Sequence, residues 1–247
     1  MQNVLNVEPT PAQTNMRAVD FVRATAQYHT ELCPKAWDNN QLRPEVRAKL
    51  LEIAEIFVDY LEIPNFEVLD IVLTGSMANY NWTDYSDFDI HVVTRYSDLQ
   101  CDDLAEAFYR AKKHIWNNEH DIMVRGHEAE LYVEDVEEPP VSGGMYSLRD
   151  DVWIKEPGYE KPDINDSAVL AKVQDLVKQI EVAMSTADDP MDLKRITDKL
   201  RKMRRSGLDT HGEFGVENLA FKTLRNMGLI TDLHNAYLQQ QDQQLSL

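Results

Sequence analysis

The chain has 247 residues, 43% of them hydrophobic, enough for one large domain or two small ones with a real core. Its 43 acidic residues against 25 basic ones give a formal net charge of −18, which argues against a protein that coats DNA or RNA, because broad nucleic-acid binding needs a basic surface. No apolar stretch reaches the roughly 18 residues of a membrane span, and the N-terminus lacks the basic and apolar regions of a secretory signal, so a cytoplasmic protein is expected.

The two cysteines, Cys33 and Cys101, show no CxxC spacing. Two free thiols in a reducing cytoplasm is the simpler reading and a disulfide between them the alternative; a zinc or redox site is not expected. Residues 1–15 are rich in Pro, Gln and Asn and read as a flexible tail. Helical spacing runs over 16–31, with a turn at Cys33-Pro34. A second helix is predicted over 44–60, with proline in its first turn. Leu50, Leu51, Ile53, Ala54, Phe57 and Val58 lie along one side of it, and Pro64 breaks it. Residues 68–73 form a short apolar, β-branched run ended by Thr-Gly-Ser and read as a buried strand; 87–94 reads as a second strand. Residues 99–116 read as a helix with Leu104, Ala107, Phe108, Ala111 and Ile115 inward. Residues 122–124 and 129–133 read as a hairpin around Gly126.

Residues 141–165 are rich in Pro, Gly and acids and read as a connecting segment, although Tyr146, Leu148, Val152 and Trp153 are expected to pack. From Asp166 onward the pattern is helical, over 167–185, 190–205, 214–227 and 230–240, and the Gln-rich tail is expected to fray. No internal repeat is visible. The expected organisation is a tail at 1–15, a core with N-terminal helices at 16–140, a connector at 141–165 and a helical domain at 166–240. The fold class is α+β: a small mixed β-sheet with flanking helices, followed by a C-terminal helical domain.

The chemistry concentrates in LTGSMANYNWTDYSDFDIHVV, residues 73–93. Strand side chains alternate faces, so Asp87 and Asp89 point one way and Phe88 and Ile90 point the other, into the core. Two carboxylates side by side repel each other, and burying them unpaired is costly. A hard divalent cation resolves the conflict, since Mg²⁺ favours carboxylate oxygens together with substrate phosphates. Two such ions, about 3.5–4 Å apart, can clamp the attacking and leaving oxygens of an in-line displacement. Gly75 permits close approach of backbone to a phosphate, and Ser76 offers a hydroxyl and an N–H.

Gly-Ser, followed about ten residues later by Asp-x-Asp with apolar flanks on both strands, resembles the signature of the DNA polymerase beta-like nucleotidyltransferase superfamily. That superfamily includes poly(A) polymerases, CCA-adding enzymes, aminoglycoside nucleotidyltransferases and bacterial cyclic-oligonucleotide synthases. The resemblance covers roughly residues 61–136. It implies that Gly75 and Ser76 hold the triphosphate of an NTP donor and that Asp87 and Asp89 bind two Mg²⁺ or Mn²⁺ ions. It also implies a third carboxylate on a later strand. Glu130, in AELYV, is the best match, and Glu134, on the same strand face, is the second candidate. More narrowly, ELYVEDVEEPP, GGMYSL, WIK and RKMRRSGLDTHGEFGVENLAFKTLRNMG resemble a family of nucleotidyltransferase-like proteins encoded in bacteriophage genomes, which implies the host-cell cytoplasm as the location.

Plainer readings stand beside these. Asp84 and Ser86 read as a turn. His91 shares the face of Asp89 and reads as a satisfied, partly buried histidine rather than a ligand. Tyr80 and Trp82 read equally as base-stacking rings or as packing over their loop. Arg149 and Lys155 are weaker phosphate candidates, and the weight on His211–Phe214 rests on the phage-family resemblance alone. Lys194, Arg195, Lys199, Arg201, Lys202, Arg204 and Arg205 form the one dense basic cluster. Lys194, Asp198, Arg201 and Arg205 share a helix side that is expected to face a cleft and meet phosphate, with the adjacent stripe of Arg195, Lys199 and Lys202 solvated. The expected reaction transfers an NMP from an NTP to an acceptor hydroxyl with loss of pyrophosphate. The acceptor stays open between a small molecule, a protein side chain, an RNA end and a second nucleotide. The alternative is a catalytically inactive module of the same fold, acting as a binding protein, inhibitor or antitoxin.

Overall fold

The computed structural model describes residues 11–98, 102–137 and 142–246. The chain is α+β and divides into two compact units: Tyr28–Lys161, and the described parts of Met1–Gln27 with Pro162–Leu247.

The second of these is all helical. Helix α1 (Pro11–Thr25) belongs to it, and not to the core with which its sequence position groups it. Ala18 and Val22 are buried in one apolar cluster with Val173, Ile180, Leu193, Leu219 and Leu224 from later helices, and Asn226 Nδ2 donates to Thr25 Oγ1 at 2.9 Å. Residues 11–15, read as tail, are helical; 1–10 lie outside the described residues.

The Tyr28–Lys161 unit begins with a two-residue hairpin, β1 (Trp37–Asp38) and β2 (Gln41–Leu42), which strand periodicity is too short to reveal. Helix α2 (Pro44–Leu61) follows. It buries Leu50, Ile53, Ala54 and Phe57 as its spacing predicts, and ends on Glu62 in the left-handed region two residues before Pro64. Strand β3 (Asp70–Thr74) leads through a single turn at Ser76–Ala78 and a loop into β4 (Phe88–Thr94). Helix α3 (Asp102–Glu119) then crosses to β5 (Met123–Val124) and β6 (His127–Asp135), the predicted hairpin. Its turn, Arg125-Gly126, has positive φ at both residues, as a tight hairpin turn of this length requires.

The face of α3 differs from expectation. Leu104 is 64% exposed, and Ala107, Phe108, Ala111 and Ile115 are also exposed, while Ala105, Tyr109 and Trp116 are buried. The aromatic rings decide the face. Tyr109 packs on Phe66 and Tyr96, and Trp116 packs on Phe57 and Tyr60. Each of the two rings finds aromatic partners on the inward face, and these ring contacts turn Leu104, Phe108 and Ile115 outward.

Residues 145–155, read as part of a connector, supply β7 (Met145–Ser147) and β8 (Val152–Lys155) to the same sheet. The strand order is β5-β6-β4-β3-β7-β8, with β4 and β6 parallel and every other pairing antiparallel. Tyr146 and Leu148 are fully buried, so this segment closes the core rather than leaving it.

After residue 161 come α4 (Asp166–Thr186), α5 (Pro190–His211), α6 (Val216–Asn226) and α7 (Leu229–Leu245). The Gln-rich segment expected to fray continues α7 to Leu245. No helix among the described residues is long and apolar enough to cross a membrane. Cys33 is a buried free thiol, and burial pushes its pKa up; Cys101 lies outside the described residues.

Candidate active site

Alternation along β4 and β6 sorts their side chains. Phe88, Ile90 and Val92 from β4, with Ala129, Leu131 and Val133 from β6, enter the apolar core. The intervening residues Asp89, His91, Glu130, Tyr132 and Glu134 therefore share the opposite face. The parallel register sets Asp89 beside Glu130, His91 beside Tyr132 and Val93 beside Glu134. Of the two candidates for a third acid, Glu130 is the register partner of Asp89, and Glu134 lies farther along the strand. Asp87 precedes the first residue of β4 and, like Asp89 and Glu130, is half-buried.

The opposite neighbour of Asp89 is Thr74 on β3, one residue before Gly75. Gly75 has φ 71° and ψ −159°, a conformation that side chains disfavour. A Cβ there would sit 1.9 Å from Asp89 Oδ2. Glycine is thus required twice, for its dihedrals and for the carboxylate packed against it. The turn that follows is fixed from several directions. Trp37 Nε1 donates to Met77 O at 2.7 Å, Ser76 Oγ donates to Ser86 Oγ at 2.7 Å, and the N–H of Thr83 also donates to Ser86 Oγ at 2.9 Å. Ser86 is in a turn as expected, and it also holds the Ser76 hydroxyl. Its carbonyl accepts from His127 Nδ1 at 2.7 Å, which leaves the neutral ring's Nε2 to accept from Lys35 Nζ at 3.3 Å. His127 is buried, and burial holds its pKa below the usual histidine range.

Residues 142–144 come back to this turn. The N–H of Gly75 donates to Ser142 Oγ at 3.4 Å, and Ser142 Oγ donates to Gly144 O at 2.8 Å. A Cβ on Gly144 would lie 1.9 Å from Ala78 O, so only glycine lets the strand come this close. Sequence reasoning missed Ser142 because it lies in a segment whose composition reads as a connector.

Tyr132 is a second residue that the sequence left in the background. Its hydroxyl donates to Glu130 Oε2 at 2.5 Å. Its ring stacks on His91 at 4.6 Å with an 8° interplanar angle, and Lys113 Nζ lies 4.1 Å from its centroid on α3. Burial raises the phenol's pKa far above its ordinary value, and the charges of Asp89, Glu130 and Asp87 raise it further. One phenol therefore feels all three carboxylates. His91 is buried as expected but not satisfied: its Nδ1 has no hydrogen bond and lies 3.7 Å from Glu134 Oε2.

Several other candidates are engaged in packing. Trp82 stacks on His29 at 3.8 Å and donates to Glu31 O at 2.9 Å. Tyr80 lies edge-on to Tyr159 at 5.3 Å. Asp84 is exposed beside Lys35 at 3.7 Å. Arg149 donates to the carbonyls of Val68 and Leu69, and Lys155 to that of Ser142. Arg201 and Arg205 are exposed on α5 of the helical unit. In that helix Arg195 pairs with Asp192, Lys199 donates to Gln179, and Arg204 lies over the Phe221 ring. His211 Nδ1 lies 3.3 Å from Glu217 Oε2.

Carboxylate oxygens are the donors that a hard divalent cation takes, and the Asp89–Glu130 pairing supplies them from adjacent strands. Among the described residues no three His, Cys, Asp or Glu side chains stand close enough together to hold a metal ion as arranged. The donor chemistry thus fits such an ion, while the three-acid cluster is not preassembled.

No family model and no curated protein matches the sequence. Among solved structures, the chain is similar to the STING-associated CdnE c-di-GMP synthase from Capnocytophaga granulosa, at 11% identity and a TM-score of 0.21 over 91% of this chain and 87% of that one. At that score the function has to be read from this chain's own residues.

Proposed function

We propose that the chain is a metal-dependent nucleotidyltransferase, moving an NMP from an NTP to an acceptor hydroxyl with release of pyrophosphate. One observation carries the reading: Asp89 and Glu130 face each other in register on adjacent parallel strands, with the Gly75-Ser76 turn packed directly against Asp89. Without a side chain at Gly75 the backbone can come close to a phosphate, and the Ser76 N–H would donate to it; the Ser76 hydroxyl, which donates to Ser86 Oγ, would join only by turning from that partner. Asp87, Asp89 and Glu130 would hold two Mg²⁺ or Mn²⁺ ions, which when bound neutralise the charge developing on the attacking and leaving oxygens. The acceptor oxygen forms its bond to the α-phosphorus as the bond to the pyrophosphate oxygen breaks. Glu130 takes the acceptor's proton. Arg201 and Arg205, exposed on α5 of the helical unit, are proposed to attract phosphate through the positive field of their own helix. The acceptor is a small molecule, a protein side chain, an RNA end or a second nucleotide, and the charge of −18 disfavours a large RNA.

A catalytically inactive binding module of the same architecture is the second reading, favoured by the lack of a preassembled three-acid cluster among the described residues. Thermal unfolding separates the two. An NTP should raise the unfolding temperature only when Mg²⁺ or Mn²⁺ is present, and the Asp87→Ala/Asp89→Ala variant should lose that rise. Stabilisation by NTP without metal, equal in the two proteins, would support the binding module.

A further inference from the structure

Tyr132 makes three contacts that a packing residue does not need. Its hydroxyl donates to Glu130 Oε2 at 2.5 Å, its ring lies flat on His91, and Lys113 caps the ring at 4.1 Å. The stack and the cation fix the plane of the ring, and the fixed ring aims its O–H. Glu130 belongs to a strand whose outer edge is tied down by Asn117, which donates to Leu131 O at 3.2 Å and accepts from Leu131 N at 3.1 Å. Backbone and carboxylate are thus both held.

We infer that Tyr132 is a positioning residue: it occupies Oε2 of Glu130 and orients that carboxylate so that Oε1 is offered beside Asp89. The inference rests on the reading of Asp87, Asp89 and Glu130 as cation ligands. A carboxylate on a flexible stem gains affinity for a hard cation when a neighbour fixes its rotation, and loss of such a neighbour lowers metal affinity by about 10–100-fold. His91 and Lys113 act only through the ring.

The test is a double-mutant cycle read by Mn²⁺ binding to the full chain, with free Mn²⁺ followed by its paramagnetic resonance signal and no nucleotide present. Tyr132→Phe keeps the ring, the stack and the cation contact, and should leave the unfolding temperature within about 2 °C of the parent. It should weaken Mn²⁺ binding by about tenfold or more. Glu130→Gln should weaken it at least as much, and adding Tyr132→Phe to Glu130→Gln should change nothing further. If Tyr132→Phe binds Mn²⁺ as the parent does, or weakens binding equally with and without Glu130, the positioning role is overturned alone. If the parent itself shows no Mn²⁺ binding that Asp87→Ala/Asp89→Ala removes, the active-site reading falls, and this inference falls with it.

Discussion

Gly75 combines a left-handed φ with a carboxylate where its Cβ would be. Gly75→Ala is therefore expected to strain the backbone and displace Asp89 together. The loss should reach about 1–3 kcal/mol in urea unfolding, with loss of metal-dependent NTP binding in calorimetry. Ser86 joins two segments through one hydroxyl. Ser86→Ala leaves the Thr83 N–H and the Ser76 hydroxyl without that partner, at an expected cost of about 1–3 kcal/mol by the same measurement. His127 gives the fold a pH dependence of known sign. Its folded pKa lies below the unfolded value of about 6.5, so the unfolded chain binds more protons in that range. The stability it contributes is complete above the unfolded value and is lost as pH falls through the folded one. The urea midpoint should drop between about pH 7.5 and 5.5 in the parent, and His127→Gln should flatten that drop.

Among the elements, α3 gives the clearest test of packing. Trp116→Ala removes a buried ring wedged between Phe57 and Tyr60 and should cost about 3–5 kcal/mol in urea unfolding. Leu104→Gln, on the exposed stripe, should stay within about 0.5 kcal/mol of the parent. A stability loss at Leu104 equal to that at Trp116 would mean that the helix is turned the other way. The sequence pattern points to the wrong face because Leu104, Phe108 and Ile115 make a clean helical stripe, whereas the inward face mixes an alanine, two aromatic rings and the half-buried Lys112, whose ammonium lies 4.6 Å from the Tyr60 ring centroid. Strands β3, β4 and β6 were legible because each alternates or runs apolar between turn residues. The strands β7 and β8 were not, since a strand of three or four residues between Pro- and Gly-rich stretches has no period to detect. The same contrast holds in the site. Asp87 and Asp89 stand out because the i, i+2 spacing in a strand predicts one face for both; Asp89 lies on β4, and Asp87 precedes its first residue. The Ser76–Ser86, Gly75–Ser142 and Tyr132–Glu130 contacts depend on rotamers and loop closure, which no local pattern carries.

Over the whole molecule, the net charge of −18 repels a polyphosphate, so any anion site must create its own positive field. Arg201 and Arg205 are exposed on α5, while Arg195 is already paired with Asp192. Reversing Arg201 and Arg205 to Glu is expected to weaken NTP or acceptor binding several-fold and to lower its salt dependence, and reversing Arg195 and Lys202 to change little. Equal effects from the two pairs, in calorimetry at two salt concentrations, would leave the helix as a solvated surface. The decisive measurement is direct transfer. The purified chain is incubated with a cell lysate, Mg²⁺ or Mn²⁺, and each NTP labelled at its α-phosphate, and both the label and released pyrophosphate are followed. A nucleotidyltransferase will move label onto an acceptor and release matching pyrophosphate only with metal, and Asp87→Ala/Asp89→Ala will do neither while remaining folded. No transfer above the lysate alone, or equal transfer by the double variant, would contradict the assignment.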